Sequence, residues 1–236
     1  PQQLMSEWYD IVINFEKDPG VCAVADKIPA WQRYGFRYDP ASGKAVSHVH
    51  SDIAVSMSKD ANYKKNVSRS WSEILYQMLG SEYKGQSYVL GYRPHSKEIY
   101  DVGLNHLVGE KYPLKRWPQQ NWDELYGALS SKYKVSWQQG ENSLEGYINW
   151  INSCRVLVTN DSLGLHLALA LGKRVVALFG PTISTEIDSS DQIIKLTPEV
   201  SWPCIPCLES NCEQEVICMT HISLQSVVSA VDNLCQ

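Results

Sequence analysis

The chain has 236 residues, enough for one large or two small domains. Hydrophobic residues make up 44% and charged residues 20%, the balance of an ordinary globular protein, and no apolar run approaches the roughly 18–20 residues that span a bilayer. A net charge of −5 argues against a nucleic-acid backbone as the main ligand and leaves room for a local basic pocket that takes a small anion.

The opening PQQLMSEWYD has neither the basic start nor the apolar core of a secretion signal, and it begins on Pro rather than Met, as a piece of a longer chain would. YDIVINF (residues 9–15) is a short β-branched run that ends in the acidic loop EKDPG, and it predicts a buried strand. Residues 23–34 predict a helix interrupted at Pro29, and residues 37–48 (RYDPASGKAVSH) read as polar turns. Residues 51–79 read as one long helix or two, with Trp71, Ile74, Leu75 and Met78 at helical spacing. A polar connector follows over 83–97, with a strand-like YVLGY inside it. It sets the division expected here: a partial N-terminal Rossmann-like domain over residues 1–90 and a second Rossmann-like domain over 91–236.

From there strand and helix alternate. DVGL (101–104), residues 134–137, RVLVT (155–159) and VVALF (175–179) read as strands. Helices are expected from Asn121, from Ser143 as a cap, and over 163–171, the last closed by Gly172. This period implies an α/β fold, a parallel sheet with helices on both faces.

In such sheets ligands bind at the carboxyl ends of strands, beside helix N-termini whose first N–H groups lack partners. Asp161 falls where RVLVT stops and the helix LGLHLALAL begins, so its charge can meet those N–H groups or a ligand. The next strand ends in FGPT, and the two strand ends are expected to shape one crevice. The loop NHLVGEKYPLKRWP (105–118), with Lys111, Lys115 and Arg116, also follows a strand end and suits a phosphate or diphosphate. Simple alternatives stand beside this reading: Asp161 or Ser162 as a plain helix cap, His166 as a core histidine, and Trp117 and Trp122 as packing residues.

DSLGLHLALALGKRVVALFGPT resembles the donor-site signature of glycosyltransferase family 9, the heptosyltransferases. The loop ending KRWP, the run SLEGYINWINSCRVLVTND and the cysteine-rich tail are similar to other parts of that family. The resemblance implies a GT-B architecture of two Rossmann-like domains, with the donor bound mainly to the C-terminal one. It implies that Lys115 meets the donor diphosphate, that Asp161 meets or positions the sugar, and that Ser162, Gly164 and His166 lie against the phosphates. Asn142, in the loop 139–143, would contact base or ribose. Leu163 stands where the family has glycine, and NHLVG departs from the phosphate loop. The family's opening strand and its general base are expected to precede Pro1, which leaves Glu16 and Asp18 as the visible candidates for a catalytic base. The implied chemistry is inverting transfer of a heptose or related sugar from an ADP-heptose-like donor to a glycan or lipopolysaccharide-type, lipid-linked acceptor. Transfer itself requires no cofactor, and the setting is the cytoplasm, with room for peripheral association at the inner face of its membrane.

Cys204, Cys207, Cys212 and Cys218 form a C-x2-C-x4-C-x5-C pattern. Four ligands in so short a run suit a structural Zn or Fe site, and disulfides or free thiols in a compact loop are the alternatives. Two other functions remain open: a non-catalytic sugar-nucleotide-binding module that lacks a base, and a Rossmann-type epimerase or oxidoreductase. The latter is disfavoured because no GxGxxG follows an early strand.

Overall fold

A computed structural model describes residues 2–138, 140 and 143–236. The chain forms two compact units, one of Pro1–Gln86 with Thr185–Asp188, the other of Ser87–Ser184 with Ser189–Gln236. Among the described residues no helix is long and apolar enough to cross a membrane.

The first unit runs α1 (Gln2–Met5), β1 (Tyr9–Asn14), α2 (Pro19–Lys27), β2 (Ala30–Asp39), β3 (Lys44–Ser47), α3 (Asp52–Lys59), α4 (Ala61–Lys65) and α5 (Trp71–Met78). β1 pairs parallel to β2, and β2 pairs antiparallel to β3. Three expectations need correction. The helix expected to reach Tyr34 stops at Lys27, and Ala30 opens a ten-residue strand. The cause is Pro29: its ring pushes the residue before it out of the helical region, and Ile28 has φ −72°, ψ 123°. The stretch expected as turns, 37–48, is largely a hairpin. Asp39 caps its turn by accepting from Ala41 N, Ser42 N and Ser42 Oγ. The long helix over 51–79 is broken twice, where Asp60 accepts from Asn62 N and Tyr63 N and where Ser70 and Glu73 close a capping box. These side chains give the backbone an alternative to continuing the helix.

The second unit runs β4 (Tyr100–Asn105), α6 (Gln119–Ser130), β5 (Val135–Trp137), α7 (Leu144–Asn152), β6 (Cys154–Asn160), α8 (Leu163–Ala170), β7 (Arg174–Leu178), β8 (Ile193–Leu196) and α9 (Leu224–Cys235). The run YVLGY forms no strand, and β8 is an element the sequence reading did not anticipate. The five strands lie in the order β5-β4-β6-β7-β8, all parallel. The α/β, GT-B-type class expected from the sequence is the class observed.

Side-chain alternation makes the layers. Val102 and Leu104, Val156 and Val158, and Val176 and Leu178 point to one face, where α6 and α9 cover them with Leu125, Leu129, Val227 and Val231. Leu157, Val175 and Ala177 point to the other face, against which α7 and α8 pack. Strands buried on both sides are therefore continuously apolar, which is why RVLVT and VVALF show no alternation.

The strand order has one consequence for the site. The connections leave β4 toward β5 on one side and return to β6 on the other, so adjacent loops at the carboxyl ends of β4 and β6 diverge. A crevice opens at such a switch point.

Trp122 is fully buried between α6 and the sheet. Trp122→Ala should lower the unfolding free energy by about 3–5 kcal/mol through lost burial and the cavity left behind, read as a shift in urea midpoint at unchanged slope.

Candidate functional site

The loop from β4 to α6 is braced by a buried amide. Asn160, the last residue of β6, donates from Nδ2 to His106 O at 3.1 Å and accepts at Oδ1 from Trp117 N at 3.0 Å. One side chain thereby holds both ends of the loop. Trp117 is fully buried, its indole N–H donates to Ile222 O at 3.1 Å, and its ring meets Trp122 edge-on at 5.2 Å. The packing role expected for both tryptophans is what this burial gives them. Between the anchors, Pro113–Lys115 make a short 3-10 turn that presents Lys115.

Lys115 Nζ lies 2.8 Å from Asp161 Oδ2, with the side chains 21% and 14% exposed. The partner answers the cost of an acid at the end of a buried strand: a partly desolvated carboxylate is tolerable when a cation neutralises it. The Lys115 ammonium also sits 5.3 Å from the centre of the Tyr112 ring, a cation–π contact that sequence reasoning missed because a lone tyrosine in a polar loop carries no pattern.

Asp161 is followed by Ser162, the N-cap of α8, whose hydroxyl makes no capping bond to the helix. The plain-cap reading of Ser162 is therefore set aside. Gly109, Tyr112, Lys115, Asp161, Ser162 and His166 line a cavity of about 370 Å³. His166 is exposed rather than a core histidine. Four of the expected donor contacts, Lys115, Asp161, Ser162 and His166, thus meet around one concavity at the β4–β6 switch point.

Gly164 does not. It is buried below the helix start, where a Cβ would collide with the Asn105 amide and the Tyr147 hydroxyl. Its lack of a side chain permits this close packing inside the protein. FGPT also departs from expectation. It does not line the cavity, and a Cβ on Gly180 would meet Met219 and Cys218, so this loop packs against the C-terminal tail. Lys111 and Arg116 are exposed and line no part of the cavity. Asn142 lies outside the described residues.

Glu16 and Asp18 lie in the first unit, after β1. Asp18 Oδ1 accepts from Gly20 N at 2.8 Å and Val21 N at 3.0 Å, which caps α2, and Glu16 Oε1 accepts from Asp18 N at 3.1 Å. Both carboxylates are engaged in turn structure.

The metal set expected of Cys204, Cys207, Cys212 and Cys218 is not formed. The four thiols are free, and among the described residues no group of three or more His, Cys, Asp or Glu side chains could hold a metal ion. Cys212 is exposed while Cys218 is buried. Burial pushes the Cys218 thiol up to about 11, with Cys207, Cys212 and Cys204 acting in the same direction.

Gly164→Ala should cost about 1–3 kcal/mol of stability from overpacking, measurable by chemical denaturation. Burial also pushes Tyr147 from 10.0 and Cys154 from 9.0 up to about 12 each. Both are neutral acids whose folded values exceed their unfolded ones, so the unfolded chain loses their protons first. The stability they contribute is complete below about pH 9 and is lost as pH rises toward about 12. Unfolding free energy should fall across that window, and Cys154→Ala should make the fall shallower.

Comparison with known proteins bears on this same segment. Residues 138–217 match the model of glycosyltransferase family 9 (heptosyltransferase). Lipooligosaccharide heptosyltransferase 2 of Campylobacter jejuni is 25% identical over 118 residues, covering 49% of this chain and 37% of that protein. Lipopolysaccharide heptosyltransferase 2 of Salmonella typhimurium is 40% identical over 62 residues, 25% of this chain and 18% of that protein. These matches span well under two thirds of either relative. The fold of E. coli heptosyltransferase WaaC, solved with ADP, superposes over 99% of this chain and 75% of that one, with a TM-score of 0.63 at 17% identity. The segment that resembles glycosyltransferase family 9, the heptosyltransferases, carries β6, α8, β7 and the Asp161–Ser162 junction, so the likeness falls on the candidate site itself.

Proposed function

We propose that this chain binds a nucleotide-diphosphate sugar, ADP-heptose first, and is the donor-side machinery of an inverting glycosyltransferase that passes heptose or a related sugar to a glycan or lipopolysaccharide-type acceptor. The observation that carries this is the Lys115–Asp161 pair, 2.8 Å apart beside a serine hydroxyl that caps nothing, in a cavity at the switch point of a parallel sheet. Such a site offers a cation and a hydroxyl to an anion and a carboxylate to a sugar. The names of the relatives, lipooligosaccharide and lipopolysaccharide heptosyltransferases, and the ADP held by WaaC support the donor and acceptor classes. In this reading the second unit is the donor domain and the first is the acceptor side. The inner face of the cytoplasmic membrane is where a lipid-linked acceptor would be met.

The reaction is a displacement. A base takes the proton of an acceptor hydroxyl, its oxygen forms a bond to the anomeric carbon, and the bond from that carbon to the diphosphate oxygen breaks on the opposite face. Negative charge builds on the departing diphosphate. Lys115 is the group that meets it, trading part of its bond to Asp161 for one to phosphate, and the start of α8 adds unpaired N–H groups. Asp161, so released, accepts from sugar hydroxyls.

A second reading, a sugar-nucleotide-binding module without transfer, has its own support: Glu16 Oε1 and Asp18 Oδ1 serve the turn after β1 and the cap of α2. Titration with ADP-heptose and a transfer assay with a lipopolysaccharide-core acceptor separate the two. Binding with release of ADP that depends on acceptor supports the enzyme, and binding without release supports the module.

Lys115→Ala should weaken ADP binding by about 1–3 kcal/mol, because it removes a charge-assisted contact and leaves Asp161 facing the anion. An unchanged dissociation constant by calorimetry would remove Lys115 from the site.

A further inference from the structure

Beneath the cavity lies a polar network that neither the sequence motifs nor the family signature singles out. Asn105, the last residue of β4, is fully buried. Its Nδ2 donates to Thr159 Oγ1 at 2.7 Å and to Ser162 Oγ at 3.1 Å. Its Oδ1 accepts from the Tyr147 hydroxyl at 2.8 Å. Thr159 Oγ1 in turn donates to Asn160 O at 2.8 Å.

Thr159 Oγ1 also lies 3.5 Å from Ser162 Oγ. The Thr159 proton is spent on a backbone carbonyl, so its oxygen can only accept, and the Asn105 amide must turn its NH2 side toward Thr159 and Ser162. The carbonyl side then faces Tyr147, which holds it there by donating. Burial pushes the Tyr147 hydroxyl up to about 12 against the opposite pull of Asn105 and Ser162, so it keeps its proton at neutral pH. Ser162, its Oγ 3.5 Å from Thr159 Oγ1 at rest, accepts one of the amide protons, and its own proton can turn to an anion that enters the cavity. The bare glycine at 164 lets this network approach the helix start so closely.

We infer that Asn105 and Tyr147 are positioning residues of the donor site, which orient Ser162 as a hydrogen-bond donor toward an anionic oxygen of the bound diphosphate. The inference rests on the donor-site reading of the cavity. It also explains why a site for an anion has a buried amide and a phenol under its floor: reversing the amide would make Ser162 an acceptor and turn its lone pairs toward the phosphate.

The test is a double-mutant cycle read by calorimetric titration with ADP. ADP is titrated first into the parent chain, and failure to bind there overturns the donor-site reading itself. Given binding, Tyr147→Phe, which keeps the ring and loses only the hydroxyl, should weaken ADP by roughly threefold to tenfold. In a Ser162→Ala background the same substitution should change the dissociation constant by less than about twofold, because the group it acts through is gone. Asn105→Asp, which turns acceptors toward Ser162 and adds a negative charge below the anion, should weaken ADP more than Tyr147→Phe does. Loss of melting temperature alone would occur for a purely structural role and does not bear on the inference. Equal ADP affinity for Tyr147→Phe and parent, or the same loss with and without the Ser162 hydroxyl, overturns it.

Discussion

The second unit is organised around one ion pair at the point where a parallel sheet changes direction. Lys115 and Asp161 are 46 positions apart in sequence and 2.8 Å apart in space. They meet because β4 and β6 are neighbours in the order β5-β4-β6-β7-β8 while the chain between them has gone out to β5 and back. The loops that leave β4 and β6 therefore part from each other and leave a cavity with no backbone across it. An acid there, partly withdrawn from water, needs a cation, and the cation must be held by something rigid. Asn160 ties down both ends of the β4–α6 loop and Trp117 anchors it in the core, so the 3-10 turn that presents Lys115 is fixed at each end.

The same arrangement suits an anion that comes and goes. Lys115 and Asp161 satisfy each other in the absence of ligand, so neither charge is stranded. In the proposed function, a diphosphate would compete for Lys115 and free Asp161 at the same moment, presenting a cation to phosphate and a carboxylate to sugar. Ser162 is ready on the same rim because its hydroxyl is not spent on capping α8. The elements behind the rim are packed for rigidity rather than contact. Gly164 lets α8 sit against Asn105 and Tyr147, and Gly180 lets the end of β7 sit against Met219 and Cys218. Two glycines that a motif reading assigns to ligand approach thus act by letting protein approach protein.

Much of the α/β alternation was legible along the chain. RVLVT and VVALF carry the continuous apolar run of strands buried on both faces, and LGLHLALAL carries a helix closed by Gly172. The pairing of Asp161, Ser162 and His166 with a strand end was legible too, because carboxyl ends of parallel strands are where such residues gather. The errors came from features that local pattern does not carry. Pro29 ended at Lys27 a helix expected to reach Tyr34, because of its effect on Ile28, and hairpin pairing turned 37–48, a stretch of turn-forming composition, largely into strand. The cysteine spacing matched a metal site, but spacing says nothing of three-dimensional arrangement, and among the described residues no group of three or more His, Cys, Asp or Glu side chains could hold a metal ion.

By itself the sequence determined which residues are chemically able to serve a donor site and on which strand ends they sit, because hydrophobic period and helix signals are local. Tertiary structure alone decided that Lys115 and Asp161 touch, that the FGPT loop turns away from the cavity to the tail, and that Asn105 and Tyr147 lie beneath Ser162. Those facts depend on which strand lies next to which and on the direction in which a buried amide is held. Neither is encoded at any one position, since both arise only when segments distant along the chain are packed against one another.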